Sequence, residues 1–407
     1  MDTDGPRRKY DLYGHAFKRD AYRTFAEMRR EDPIYRQVGL DGTTPIWFVT
    51  RYEDVDAMLR DPRFVRDEAL ARDPEDRFVP TPLDRLIGNH MLNRDGDDHR
   101  RLRSLVSQAF TPKRVADLRP RVQAIADGLL DAVRDQGAMD LIGDFAFPLP
   151  TIVILEMLGV PAEDRERFRI WSNALVEPPM DGEARAAAVR HLTAFTDYLR
   201  ELFEVRRAAP RDDLVTALLH AAEDGDALSE EELFSTVVLL IVAGHETTVN
   251  LIGNAMLALA RHPQQLRALR DDPTAMPRAV EEFLRYDGSV ERALNRWAAR
   301  DIAWNGHTIA RGEPVILILG SANRDPSRFV DADRFDPARQ PNPHLAFGKG
   351  MHYCLGAPLA RLETEIAMNT LLARLPSLEL AVDEEDLRWR FLPGFRALEA
   401  LPVRWAP

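Results

Sequence analysis

The stretch Phe347-Gly348-Lys349-Gly350-Met351-His352-Tyr353-Cys354-Leu355-Gly356, continued by Ala357-Pro358-Leu359-Ala360-Arg361-Leu362-Glu363, holds the only cysteine of the chain. Three glycines around that residue let the backbone turn tightly and aim N–H groups at a sulfur. Pro358 marks the first turn of a following helix, which puts Cys354 at the positive end of a helix dipole. Both effects favour thiolate over thiol. Most free cysteines are small buried hydrophobes, but the ten-residue arrangement here is too specified for that reading. A Cys/His nucleophile would use the same lowered pKa, yet no Asn/Asp–His pattern accompanies it and His352 is poorly placed as a base.

A lone cysteine also excludes an intrachain disulfide framework and any thiolate-rich zinc or iron–sulfur site, which fits a reducing cytoplasm. Across 407 residues the chain is 45% hydrophobic with a net charge of −12, enough for a large core and the wrong sign for a general nucleic-acid binder. The charged first residues carry no apolar run, so neither a secretory signal nor a membrane anchor is expected there. The most apolar uninterrupted stretch, 237–243, is far short of the roughly 20 residues that span a bilayer.

From about residue 95 to 284 the pattern is mostly helical. Leu102, Leu105, Val106 and Ala109 recur at i, i+3, i+4 and i+7, and 183–207 is a long amphipathic run after the Pro178-Pro179 break. Ser229 with Glu232 three residues on is a capping box, opening a helix with no proline before Pro263, about 33 residues or roughly 50 Å. Strand signals fall at 46–49 and at 304–319, the latter with the turn Asn305-Gly306 and the run 315–319. The stretch 323–349 reads as a long irregular loop, a kind that is uncommon unless functional.

Three further patterns bear on chemistry. Ala243-Gly244-His245-Glu246-Thr247-Thr248 sits inside the long helix, where glycine costs about 1 kcal/mol relative to alanine. Thr247 can bond back to the Ala243 carbonyl and bend the helix, opening a groove for a small ligand; equally, Gly244 can serve close packing and Glu246 can be solvated. Glu282-x-x-Arg285 places opposite charges three apart on one helix face, ordinarily surface decoration. His99 and Arg103 stand at i and i+4 in a basic cluster that also contains Arg100 and Arg101.

Together these motifs resemble the cytochrome P450 family, whose haem loop is Phe-Gly-x-Gly-x-x-x-Cys-x-Gly. The resemblance implies a mainly α fold with a small β region, the haem between the long central helix and the cysteine-loop helix. It implies Cys354 as the axial ligand of iron, with Phe347, Gly348, His352 and Gly356 around the cofactor. The segment 243–248 is similar to the family's oxygen-activation motif. By that likeness Glu246 and Thr247 are the acid–alcohol pair that relays protons, with Ala243 and Gly244 against the haem and Gly244 making room for dioxygen. Glu282, Arg285 and Arg339 would form a structural network behind the cysteine loop. His99, Arg103, Arg296 and His352 would hold the propionates, with Arg100 and Arg101 facing outward.

The likeness runs over essentially the whole chain and implies a single haem-thiolate monooxygenase domain, 1–407, without a fused reductase. The implied reaction inserts one atom of O2 into a C–H or C=C bond of a hydrophobic natural product such as a macrolide, steroid, terpenoid or fatty acid. Haem b is the expected cofactor, with electrons from NAD(P)H through a ferredoxin reductase and a 2Fe–2S or similar ferredoxin. The ferredoxin would dock at Arg100, Arg101, Arg114, Lys349 and Arg361 by charge complementarity. A peroxide-driven peroxygenase or a haem sensor would not need the Glu246/Thr247 pair. Leu239, Val242, Ala243, Ala293, Leu294, Phe391 and Leu392 are the candidate substrate wall, with Glu291 and Arg292 beside it for a polar substituent. Specificity is expected in the loops 64–92, 176–183 and 391–395. The expected setting is a cytoplasmic monomer of secondary metabolism with no nucleic-acid or membrane partner.

Overall fold

A computed structural model describes residues 9–39, 41–77, 79–176, 182–223 and 226–406. Of the expected specificity loops, most of 176–183 lies outside these residues. The chain folds as two compact units, each built from separate stretches of sequence.

The first unit, from Met1–Phe78, Gly253–Cys354 and Val382–Leu401, contains the main sheet. Its strands run in the order Ile34–Val38, Pro45–Val49, Pro314–Leu317, Arg296–Ala298, Phe64–Val65. Pro45–Val49 pairs antiparallel with Ile34–Val38 and parallel with Pro314–Leu317, setting Trp47 opposite Val315. Side chains alternate across this sheet, and both faces are buried. Trp47, Val49, Val315 and Leu317 join one core cluster, while Phe48, Ile316 and Ile318 join another with Phe17 and Phe25 of the helix His15–Glu31.

The apolar run 315–319 does not all become strand. Pairing ends at Leu317, and Leu319–Ala322 turns into a short helix held by Arg29, whose Nη1 donates to the carbonyl and hydroxyl of Ser321, each at 2.9 Å. Asn305 and Gly306, at φ 46° and 81°, make the tight turn between Ile302–Trp304 and His307–Ile309, where Trp304 pairs His307.

The second unit, from Val79–Ile252, Leu355–Ala381 and Pro402–Pro407, is mostly helical. Leu102, Leu105, Val106 and Ala109 form the buried face of Gly96–Ala109. Ala357–Arg374 lies along Arg119–Val133, tied by the bidentate pair Arg119–Glu365 and by Gln123 donating to Thr370 at 2.9 Å. A three-stranded sheet of Glu379–Leu380, Pro402–Arg404 and Ala138–Asp140 has strands too short to show alternation in the sequence.

The central helix is Glu230–Arg261. Its capping box closes at both bonds: Ser229 N–H donates to Glu232 Oε2 at 2.9 Å, and Glu232 N–H donates to Ser229 Oγ at 3.2 Å. By length and composition this helix could cross a membrane, but 72% of its most apolar window is buried within the fold, so the core accounts for its hydropathy.

Candidate active site

The cysteine loop lies in the first unit. Gly348 and Gly350 have φ of 68° and 72°, the left-handed region that favours glycine. A Cβ on Gly350 would stand 2.9 Å from the Leu59 carbonyl oxygen of the helix Tyr52–Arg60, so conformation and contact both demand glycine there. Lys349 Nζ pairs with Asp56 of that helix at 2.8 Å. Cys354 N–H donates to the Phe347 carbonyl at 3.0 Å and closes the loop, leaving the cysteine half-buried. The helix Ala357–Arg374, with Pro358 in its first turn, begins three residues later.

In the same unit, Arg285 and Glu282 are both fully buried and joined by two 2.7 Å bonds. Arg285 also donates to the carbonyls of Asn323, Ala332 and Arg334 at 2.9, 2.7 and 3.1 Å. Arg339 donates to Glu282 at 3.2 Å and to the carbonyls of Val330 and Asp331 at 2.7 and 3.1 Å. Glu282 further accepts from the Asp336 N–H and the Asn342 amide. An irregular chain offers carbonyls that no helix or sheet satisfies, and two guanidiniums have the donors to satisfy them. The charges that look decorative in sequence therefore hold 323–342 in shape.

The oxygen-activation segment lies in the second unit. The helix runs unbroken through 243–248. Thr247 Oγ1 does donate to the Ala243 carbonyl at 3.1 Å, but in addition to the helical pattern. A Cβ on Gly244 would meet Ile154 at 3.1 Å, so glycine there allows close packing on the helix Pro148–Met157. Glu246 is buried, not solvated, and accepts from Asn250 Nδ2 at 3.1 Å. His245 sits edge-on to Phe147, its Nδ1 2.7 Å from the Ile241 carbonyl. Within this largely buried helix, Leu239, Val242, Ala243, Gly244 and Thr247 retain accessible surface.

Of the expected propionate ligands, His99 is buried and Arg103 half-buried on Gly96–Ala109 of the second unit. In the first unit Arg296 is buried on the main sheet, donating to the Phe64 carbonyl at 3.1 Å, and His352 is half-buried in the turn Gly350–His352. Ala293 and Phe391 are half-buried and Leu294 is exposed, whereas Leu392 is packed in the core.

Two expectations are corrected. Glu291 pairs with buried Lys18 at 3.2 Å, while Arg292 bonds Glu291 and the Leu12 carbonyl and lies over the rings of Tyr13, Phe17 and Phe48. Both are committed to anchoring the N-terminal segment and the helix after it, not to a substrate. Within the expected docking set, Arg100 pairs with Asp97, Arg101 with Glu232 and Asp226, Arg114 with Asp212, and Lys349 with Asp56. Arg101 thus binds the first turn of the central helix and does not face outward.

Asn250 and Asn342 escape a reading by motif. Asn250 had a signal, since it stands at i+4 from Glu246; Asn342 had none.

The donor chemistry suits a metal that brings its own equatorial ligands. There is one thiol, on a loop closed by its own backbone, and there are buried basic side chains suited to carboxylates. Among the described residues no group of three or more His, Cys, Asp or Glu could cage an ion. Haem needs one axial thiolate and cations for its propionates, and these residues fit it. Fold and donor set together define a haem-thiolate oxygenase.

The sequence model of the family described as Cytochrome P450 matches residues 165–387. The chain is 48% identical over 402 residues to Cytochrome P450 107B1 of Saccharopolyspora erythraea, covering 96% of each protein. It is 43% identical over 414 residues to the Vitamin D(3) 25-hydroxylase of Pseudonocardia autotrophica, covering 100% of this chain and 99% of that one. The solved structure of the bacillaene polyketide synthase cytochrome P450 PksS of Bacillus subtilis superposes with a TM-score of 0.92 at 43% identity, covering 98% of this chain and all of that one. The chain belongs to the cytochrome P450 family. It is a monooxygenase that uses haem, O2 and reducing equivalents from redox partners.

Proposed function

We propose that this enzyme oxygenates a large, mainly apolar natural product, in the class of polyketides, steroids, terpenoids or fatty acids, at a C–H or C=C bond. Two relatives support the class by their names, one from polyketide biosynthesis and one a vitamin D3 hydroxylase. The apolar and accessible Leu239, Val242, Ala243, Ala293, Leu294 and Phe391 are assigned to the substrate, together with buried Leu392. Such a wall holds a ligand by burial, at roughly 25 cal/mol per Å2 of apolar surface. The commitment of Arg292 to the N-terminal segment argues against a substrate gripped through a carboxylate at that position.

Cys354 would supply the thiolate ligand of haem b, and His99, Arg103, Arg296 and His352 would hold its propionates. Haem, when bound, supplies the activation of O2 and the transfer of one of its atoms to substrate. Glu246 holds a proton-accepting carboxylate inside the fold, tied to Asn250, and Thr247 presents a hydroxyl on the accessible side of the same turn. Together they move protons inward while the apolar surroundings exclude water. Electrons come from NAD(P)H through a ferredoxin and its reductase, and the chain works as one cytoplasmic, monomeric unit.

The observation that carries this reading is the closed loop 347–356 around the single cysteine. The test is spectral titration with a panel of macrolides, steroids, terpenoids and fatty acids, followed by NADPH-driven turnover with a surrogate ferredoxin system. A shift of ferric haem to high spin and a hydroxylated or epoxidised product are expected. Turnover with hydrogen peroxide alone, indifferent to Thr247→Ala, would contradict it in favour of a peroxygenase.

A further inference from the structure

Two pieces of the proposed substrate wall, Ala293 with Leu294 and Phe391 with Leu392, lie in the first unit, and neither piece is helix or strand. A segment without a ladder of its own is placed by whatever satisfies its neighbouring backbone groups. Here those bonds join the two pieces. The N–H groups of Glu291 and Arg292 both donate to the Gly394 carbonyl, at 2.9 and 3.2 Å, and Val290 pairs with Phe395 in an isolated antiparallel bridge. The ammonium of Lys18, from the helix His15–Glu31, reaches both sides of that junction. It donates to Glu291 Oε1 at 3.2 Å, two residues before Ala293, and to the Phe395 carbonyl at 2.8 Å, three residues after Leu392. Arg396 in turn donates to the Lys18 carbonyl. Lysine is almost never fully buried unless paired, since it gives up its hydration and the freedom of a long stem, yet Lys18 is only 2% exposed. Docking of the N-terminal segment has other sources. Tyr10, Leu12, Phe17 and Phe25 pack with Phe48, Ile316 and Ile318 in one apolar cluster, and Arg292 holds the Leu12 carbonyl. An apolar residue at position 18 could join such packing, but it could not bond two irregular segments at a fixed spacing.

We propose that Lys18 is a positioning residue for substrate selectivity: its ammonium clamps 291–294 to 391–395 and so fixes the spacing of these two pieces of the wall. This rests on the reading of Ala293, Leu294, Phe391 and Leu392 as substrate contacts. Oxidation falls on the substrate carbon that the wall holds in reacting position, so a small displacement of the wall changes both the fit and the carbon that is presented. A buried ion pair is a poor source of net stability and a better source of one defined geometry, which is the use made of Lys18 and Glu291 here.

Hydrogen exchange of the holoenzyme, read by mass spectrometry for Lys18→Met against wild type, tests the clamp without any substrate. Exchange should quicken several-fold in both 290–294 and 391–396, while Ile34–Val38 and Pro45–Val49 keep their wild-type rates. Unchanged exchange in either piece, or faster exchange across the whole first unit, would overturn the proposal. Should Lys18→Met fail to accumulate with haem, Glu291→Gln applies the same test. It removes the charge opposite the ammonium but keeps an oxygen to accept from it, so it should loosen the same two pieces to a smaller degree. Two azoles then test the wall by spectral titration. Imidazole needs only the iron, whereas clotrimazole adds a bulky triaryl group that must rest on the surrounding protein. Lys18→Met should weaken clotrimazole several-fold and leave imidazole unchanged. An equal loss for both azoles would place the effect of Lys18 at the iron and overturn the proposal. Faster exchange with unaltered clotrimazole binding would leave the clamp standing and sink the assignment of these residues to the substrate wall.

Discussion

Asn250 donates its side-chain amide to Glu246 across one turn of the central helix, at 3.1 Å and with both residues buried. A carboxylate taken out of water needs donors, and this bond supplies one from the same rigid element. Asn250→Ala should leave a carboxylate oxygen short of a donor. The expected cost is about 1–3 kcal/mol of stability by chemical denaturation, with a lower yield of product per NADPH and unchanged affinity for substrate. Asn250→Asp, which sets a second carboxylate against Glu246, should be worse than alanine on both counts.

The pair Glu282–Arg285 should prove to be architecture. Arg285→Met leaves Glu282 buried without its main cation and frees the Asn323 and Ala332 carbonyls, so a loss of about 3–5 kcal/mol is expected. Purified protein should bind haem substoichiometrically. A variant that folds and holds haem at full occupancy would show that Arg339 and Asn342 suffice to shape the segment.

Gly350→Ala tests the loop itself. At φ 72° with a backbone oxygen 2.9 Å from the new Cβ, the variant must shift either the loop or the helix Tyr52–Arg60. A strain of about 1–3 kcal/mol is expected, read as a lower melting temperature and faster haem loss to an acceptor protein.

Glu363 makes a prediction about pH with a definite sign. Its pKa is raised on folding above the ordinary 4.5, because burial disfavours the charge. Its contribution to stability is therefore fully present below pH 4.5 and is lost as pH rises through the folded-state value. Glu363→Gln removes that dependence. The stability of the variant relative to wild type should improve as pH rises above 4.5, by about 1.4 kcal/mol per pH unit at most, measured by urea denaturation. A constant difference across that range would mean that the carboxyl is not held neutral.

How much of this could be read from sequence depends on how local the cause is. The ends of the central helix are written in neighbouring residues, the Ser229/Glu232 box and Pro263, and the hairpin at Asn305-Gly306 in two residues whose backbone preference is unusual. The cysteine loop was legible because glycine positions and a following proline constrain one backbone. What escaped depends on partners far away in the chain. Glu291 and Arg292 look available beside a substrate wall until Lys18 and Leu12, more than 270 residues earlier, are brought to them. Arg101 looks free to face outward until Glu232, more than 130 residues later, meets it. The close packing of Gly244 on Ile154, a residue far earlier in the chain, could not be read locally. Strands of two or three residues, such as Glu379–Leu380, are too short for any periodic signal.

The most direct test is the carbon monoxide spectrum of ferrous Cys354→Ser. Wild type should show the strongly red-shifted Soret band that thiolate donation produces. The serine variant, if it retains haem, should lose that band because a hydroxyl cannot donate in the same way. An unchanged band in the variant would mean that Cys354 is not the ligand, and the assignment of this loop as the iron site would be wrong.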